Sequence, residues 1–168
     1  MGSYDGAEIC DIVGLYMLSQ LQNLNLDIGL YRDDGLAVGN QNPREMDKIK
    51  DKICKVFKEN ELSITINANQ KVVDFLDVTL DLHSGLYKPF SKPNDTPVYV
   101  NRNSNHPRPI LQNIPAAVNK RLSNISANEQ VFNEAIPPYQ TALEKAGYEY
   151  TIEYEPRKDS SSKRKNRK

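Results

Sequence analysis

Cysteine is scarce in this sequence: there are two in 168 residues, Cys10 and Cys54. Two thiols make neither a disulfide framework nor a zinc-ligand pattern, and reduced thiols in a reducing compartment are the simple expectation. Long apolar runs are missing too. None approaches the ~20 residues that a membrane-spanning helix needs, so no membrane is expected as a partner. The first residues lack the basic stretch that opens a secretory signal, which points to an intracellular chain. Net charge is also absent, with 22 basic and 22 acidic side chains. The balance is uneven, however. Residues 157–168 set Arg157, Lys158, Lys163, Arg164, Lys165, Arg167 and Lys168 against Asp159 alone. That excess of six positive charges leaves residues 1–156 with an excess of six negative ones. A body of that sign is not a general attractor of nucleic acid. No internal repeat is present.

The length suits one domain with its own core. Ten Pro, eight Gly and a low mean hydropathy of −0.66 mean many turns, or a core completed by other sequence. Over residues 7–22, Ile9, Ile12, Val13, Tyr16, Met17 and Leu21 recur at helical spacing. Apolar runs at 26–30 and 36–38 flank Tyr31-Arg32-Asp33-Asp34-Gly35, which predicts a hairpin with two Asp at its tip. Asn42-Pro43-Arg44-Glu45 is a helix start with a capping box. The helix presents Met46, Ile49, Ile53, Val56 and Phe57 on one face and stops near Asn60. Alternation at Leu62, Ile64 and Ile66 predicts a strand. Residues 72–82 read as one strand, which turns at His83-Ser84-Gly85 and returns through Leu86-Tyr87-Lys88-Pro89. A short strand is expected at 98–100 and a polar loop at 101–109. A helix spans 110–125, shortened or kinked by Pro115. Ser126-Ala127-Asn128-Glu129 is a capping box that opens another helix, which should end by Pro137-Pro138. A last helix covers 139–146 with Gly147 as its cap. Residues 148–154 alternate as a strand, and the Ser/Lys/Arg tail has the composition of a disordered segment. Antiparallel strands on helices make an α+β layer.

Two adjacent carboxylates on a turn repel one another, and a divalent cation relieves that repulsion. Magnesium takes oxygen ligands and suits carboxylates combined with substrate phosphates. Polymerases use two such ions ~3.5–4 Å apart. A solvated Asp-Asp-Gly turn is the ordinary alternative, because both residue types are favoured there. The aromatic two places earlier and the apolar runs on both sides weigh against it. Other candidates favour structural roles. His106 and His83 read as loop histidines, and Cys10 and Cys54 as buried thiols on apolar helix faces. Tyr148, Tyr150 and Tyr154 could stack bases, but strand surface is the plainer role. Asp74 and Asp77 suit a strand's polar face.

Tyr31-Arg32-Asp33-Asp34 resembles the Tyr-x-Asp-Asp box of reverse transcriptases. The string from Gly29 to Val38 is similar to that of retroelement enzymes related to Penelope-like and non-LTR elements. The string Ser3-Tyr4-Asp5-Gly6-Ala7-Glu8-Ile9-Cys10 resembles the start of the palm helix before the box. Phe75-Leu76-Asp77-Val78-Thr79-Leu80 with Tyr87-Lys88-Pro89 resembles the hairpin after it. Ser104-Asn105-His106-Pro107 and Arg121-Leu122-Ser123 fit the same group. The resemblance covers about residues 3–155 in order, and that order is more specific than the box alone.

The resemblance implies a partial polymerase palm over residues 1–100, a thumb-like helical region over 101–156 and a basic tail over 157–168. It implies RNA-directed DNA synthesis with Mg²⁺ or Mn²⁺ held by Asp33 and Asp34. Tyr31 would lie near the primer end, with RNA template, DNA primer and deoxynucleoside triphosphate as partners. Gly6, Arg32, Phe75, Leu76 and Lys88 would contact substrate, the last three in a primer grip. The family's first catalytic Asp lies well upstream of the box, and Asp5 does not replace it. Two of three ligands, without the fingers, imply a chain inactive on its own. A non-catalytic module that binds nucleic acid or protein, derived from a retroelement, is the alternative. The basic tail also suits nuclear import.

Overall fold

The computed structural model describes residues 4–24 and 26–157. The basic tail from Lys158 onward and Ser3 of the opening motif lie outside the described residues. The described chain is α+β, with four α-helices and two small antiparallel sheets, and it divides into two compact units at Lys71/Val72.

The first unit holds α1 (Gly6–Leu21), β1 (Asp27–Tyr31), β2 (Asp34–Val38) and α2 (Pro43–Glu59). The α2 start forms as its sequence specifies. The Asn42 side-chain oxygen accepts from the Glu45 amide at 3.0 Å, Glu45 accepts from the Asn42 amide at 3.4 Å, and Pro43 occupies the first turn. Its far end closes with the Glu61 amide donating to Lys58 O and the Leu62 amide to Phe57 O. These are the two bonds of a Schellman cap, here with Glu61 rather than glycine at positive φ. Burial is sparse in this unit. Met17, Leu21 and Ile53 are buried, whereas Ile9, Ile12, Val13 and Tyr16 of α1 stay exposed. Of the periodic residues that predicted the helix, only Met17 and Leu21 are therefore buried. Cys10, expected to be buried, is exposed on that surface, and Cys54 is half-buried. Residues 62–70 form no strand and join no sheet, so the strand expected there is absent.

The second unit opens with a three-stranded meander of β3 (Val72–Phe75), β4 (Val78–Asp81) and β5 (Leu86–Pro89). The single strand expected over 72–82 is thus two strands. Leu76 takes φ 53°, which lets a two-residue turn pair Phe75 with Val78. Periodicity could not reveal this, because Leu is a poor residue for the left-handed region. Val73, Phe75, Val78, Leu80, Tyr87 and Pro89 share one face by register. The second turn is held by Asp81, which accepts from the His83 amide at 2.8 Å and the Ser84 hydroxyl at 2.7 Å. The Ser84 hydroxyl and then the His83 amide hold its carboxyl below the usual range.

Helices α3 (Arg108–Asn124) and α4 (Glu129–Lys145) build the core of this unit. Leu122, Phe132, Leu143, Ala146, Tyr148 and Ile152 are buried together, and Phe132 meets Tyr154 at 5.3 Å between ring centroids. Pro115 does not shorten α3, which continues past it to Asn124. Two expectations for α4 fail: Asn128 caps it, accepting from the Val131 amide at 2.9 Å, while the Ser126 hydroxyl donates to Leu122 O, and the helix runs through Pro137-Pro138 instead of ending there. Phe132 and Leu143 are both fully buried, one before and one after the prolines, so core packing holds the helix across them. The prolines themselves are exposed, as are Asn133 and Glu134, whose carbonyls lose their helical donors. Gly147, at φ 84°, ends α4 with a Schellman cap. Its amide donates to Glu144 O and that of Tyr148 to Leu143 O.

Residues 148–156 form no strand and belong to no sheet, against expectation. Helix side chains take the place of a neighbouring strand. Gln140 of α4 accepts from the Ile152 amide at 3.1 Å and donates to Tyr150 O at 2.9 Å. Asn119 of α3, 1% exposed, accepts from the Glu153 amide at 2.7 Å and donates to the Glu155 carboxylate at 2.6 Å. Ser123 accepts from the Glu155 amide at 3.1 Å. Tyr148 is consequently core rather than strand surface, and Tyr150 and Tyr154 pack against that core. Residues 98–100 also form no strand; Val100 O accepts the Tyr148 hydroxyl at 3.0 Å. Replacing Asn119 by Ala removes a buried side chain together with its bonds to the Glu153 amide and the Glu155 carboxylate, so urea unfolding should show a loss of roughly 1–3 kcal/mol. A loss under about 0.5 kcal/mol would mean the clamp does not hold this segment.

Candidate functional site

The candidate site is the tip of the β1–β2 hairpin. Its register runs from Asp27↔Val38 to Tyr31↔Asp34, leaving Arg32 and Asp33 as a two-residue loop. Such a loop needs a residue at positive φ, and Arg32 supplies it at 52°. Tyr31 and Asp34 are the closing pair and therefore project from the same face of the hairpin. Asp33 stands in the loop beside them. All four residues are exposed. The Arg32 guanidinium lies 5.7 Å from the centroid of the Tyr31 ring, within cation–π range.

Two glycines permit this geometry. A Cβ on Gly35 would lie 2.9 Å from Leu30 Cδ2, so its absence lets Leu30 lie across the strand pair. A Cβ on Gly39 would come within 2.4 Å of Leu26 Cδ2, so the chain leaving β2 passes close to the residue just before β1. Helix α1 packs against β1. Gly6 is its first residue, half-buried, and Asp5 stands at the N-cap without a side-chain cap bond.

The donor set at the tip matches a hard divalent cation in kind, because both carboxylates are oxygen ligands. In number it is short: among the described residues no group of three His, Cys, Asp or Glu side chains converges. The other sequence candidates lie in the second unit. Phe75 ends β3, Leu76 is exposed in the following turn, and Lys88 is exposed on β5 opposite Thr79. Asp74 accepts the Thr79 hydroxyl at 2.6 Å. Asp77 pairs with Arg121 of α3 at 2.5 Å, which ties the β3–β4 turn to the helices. Burial raises the hydroxyl pKa of Tyr99 and Tyr139, which both sense Arg121. His106 bonds Ser104 at 3.0 Å on an exposed loop. No spacing in the sequence signalled the Arg121–Asp77 pair or the Asn119 and Gln140 clamp.

No protein-family description, curated protein or solved structure matches this chain.

Left-handed backbone costs a non-glycine residue about 1–2 kcal/mol, partly offset by the chain entropy that glycine loses on folding. Arg32→Gly should therefore leave stability unchanged or raise it by up to about 1 kcal/mol in a denaturant titration. Marked destabilisation would contradict the turn geometry.

Proposed function

We propose that this chain derives from a reverse transcriptase and carries the later part of its palm. The tip described above would be the place where nucleotidyl transfer is assisted. The observation that carries the reading is the hairpin itself, with Tyr31 and Asp34 paired on one face and Asp33 exposed in a two-residue loop. A helix precedes it and packs on β1, a capped helix follows, and an antiparallel meander comes next. That order matches the order of the motifs in the resemblance.

In this reading Asp33 and Asp34 would hold a magnesium or manganese ion, which would supply positive charge where the triphosphate accumulates negative charge. The primer 3′-hydroxyl oxygen would bond to the α-phosphorus and give its proton to solvent as the bond from that phosphorus to the pyrophosphate leaving group breaks. Tyr31 and Arg32 lie beside the carboxylates and would border the primer end. Phe75, Leu76 and Lys88 would support the primer backbone. Among the described residues no helix is long and apolar enough to cross a membrane.

The short donor set favours a second reading, a non-catalytic module that contacts nucleic acid or protein. Primer extension on an RNA template with magnesium or manganese separates the two. The chain should be compared with its Asp33→Asn/Asp34→Asn variant. The expected result is no extension by this chain alone, and extension once a further catalytic carboxylate is supplied by upstream palm sequence. That extension should fall by at least ~10³-fold in the variant. Salt-sensitive primer–template binding that survives the variant, with no extension under either condition, would favour the module.

A further inference from the structure

Residues 62–68 lie in no sheet, and from Ser63 to Ala68 exposed and half-buried side chains alternate as they do along a strand. Among the described residues, no backbone–backbone hydrogen bond joins residues 63–70 to any other part of the chain. Both ends of the stretch are nevertheless fixed. It begins at the α2 cap, where Glu61 takes φ 60° and the Leu62 amide is bonded. It ends where Asn69, at φ 59°, donates to Asp47 Oδ1 at 3.1 Å and to Pro43 O at 3.5 Å, both on the first turns of α2. The stretch therefore runs back along the helix with Ile64, Ile66 and Ala68 half-buried and Ser63, Thr65 and Asn67 exposed. A segment held at both ends has part of its ordering entropy already spent, which favours pairing. Ala68 O accepts from the Gln70 side-chain amide at 3.3 Å; the backbone groups of residues 63–67 have no backbone partner among the described residues, which leaves an open edge.

We propose that this edge pairs with the same edge of a second copy of the chain, antiparallel and centred on Thr65. Three features select that occupant. Residues 62–70 contain no charge and no proline, so a copy meets neither repulsion nor a missing donor. The sequence is also self-complementary about Thr65. A two-fold antiparallel register sets Thr65 opposite Thr65, Ser63 opposite Asn67 and Ile64 opposite Ile66. Hydroxyl and amide groups then face one another on the outer side, with branched apolar pairs on the inner side. Finally, the stretch is flanked by Glu61 before it and Lys71 after it. The antiparallel arrangement brings each Lys71 end beside the Glu61 end of the other copy, whereas a parallel one stacks like on like. The interface is small, so the pair is weak and concentration-dependent. It is independent of the polymerase reading.

Disulfide scanning tests the register, since opposed residues in an antiparallel pair have Cα atoms ~4.5–5.5 Å apart, within disulfide reach. The background is Cys10→Ser/Cys54→Ser, and each probe replaces an exposed side chain. Thr65→Cys should form a covalent dimer under mild oxidation. Ser63→Cys alone and Asn67→Cys alone should not, while a mixture of the two should. Sedimentation should show a dimer that dissociates on dilution, and Thr65→Pro should leave only monomer with an unchanged helical circular-dichroism signal. A monomer at all concentrations, equal cross-linking at all three positions, or assembly that grows beyond two chains would each overturn the proposal.

Discussion

A two-residue hairpin loop closes only when its first residue accepts a backbone conformation that side chains resist, and Arg32 does so at φ 52°. Everything proposed for the tip depends on that turn. It sets Tyr31 opposite Asp34 and fixes the pairing back to Asp27 and Val38. A slip of one residue would send Tyr31 and Asp34 to opposite faces, because side chains alternate along a strand. The glycines at 35 and 39 serve the same register by removing a Cβ where Leu30 and Leu26 crowd the backbone.

The turn at Leu76-Asp77 has the same form, again with a non-glycine residue at positive φ. There the structure adds an anchor, since Asp77 pairs with Arg121 and its carbonyl accepts from the Phe90 amide at 2.8 Å. The two units differ in how they are consolidated. The second buries Phe132, Leu143 and their neighbours, and clamps residues 148–156 with Gln140, Asn119 and Ser123. The first buries few side chains and leaves much of α1 exposed. A two-stranded sheet contributes little stability by itself.

Local chemistry was legible in the sequence wherever one residue type sufficed. The Asn42–Glu45 box, the Gly147 cap and the acidic hairpin all form where their residues place them. Features set by distant contacts were not legible. Pro137-Pro138 reads as a stop because the pull of Phe132 and Leu143 on either side is invisible in a window. Residues 148–154 alternate like a strand, yet the partners that fix them are side-chain amides on helices. Leu76 splits a strand because its turn needs a conformation that its side chain disfavours. Of the candidate site, the hairpin and its exposed carboxylates were readable. The Arg32–Tyr31 contact and the absence, among the described residues, of a third converging ligand required coordinates.

The claim that the Asp33–Asp34 tip holds a divalent cation is tested most directly by manganese titration, monitored through paramagnetic broadening of backbone amide resonances. The account predicts selective broadening of residues 31–35 at roughly millimolar manganese, as suits a site with few ligands, and its loss in the Asp33→Asn/Asp34→Asn variant. Broadening spread evenly over exposed carboxylates, or none at the tip, would contradict it.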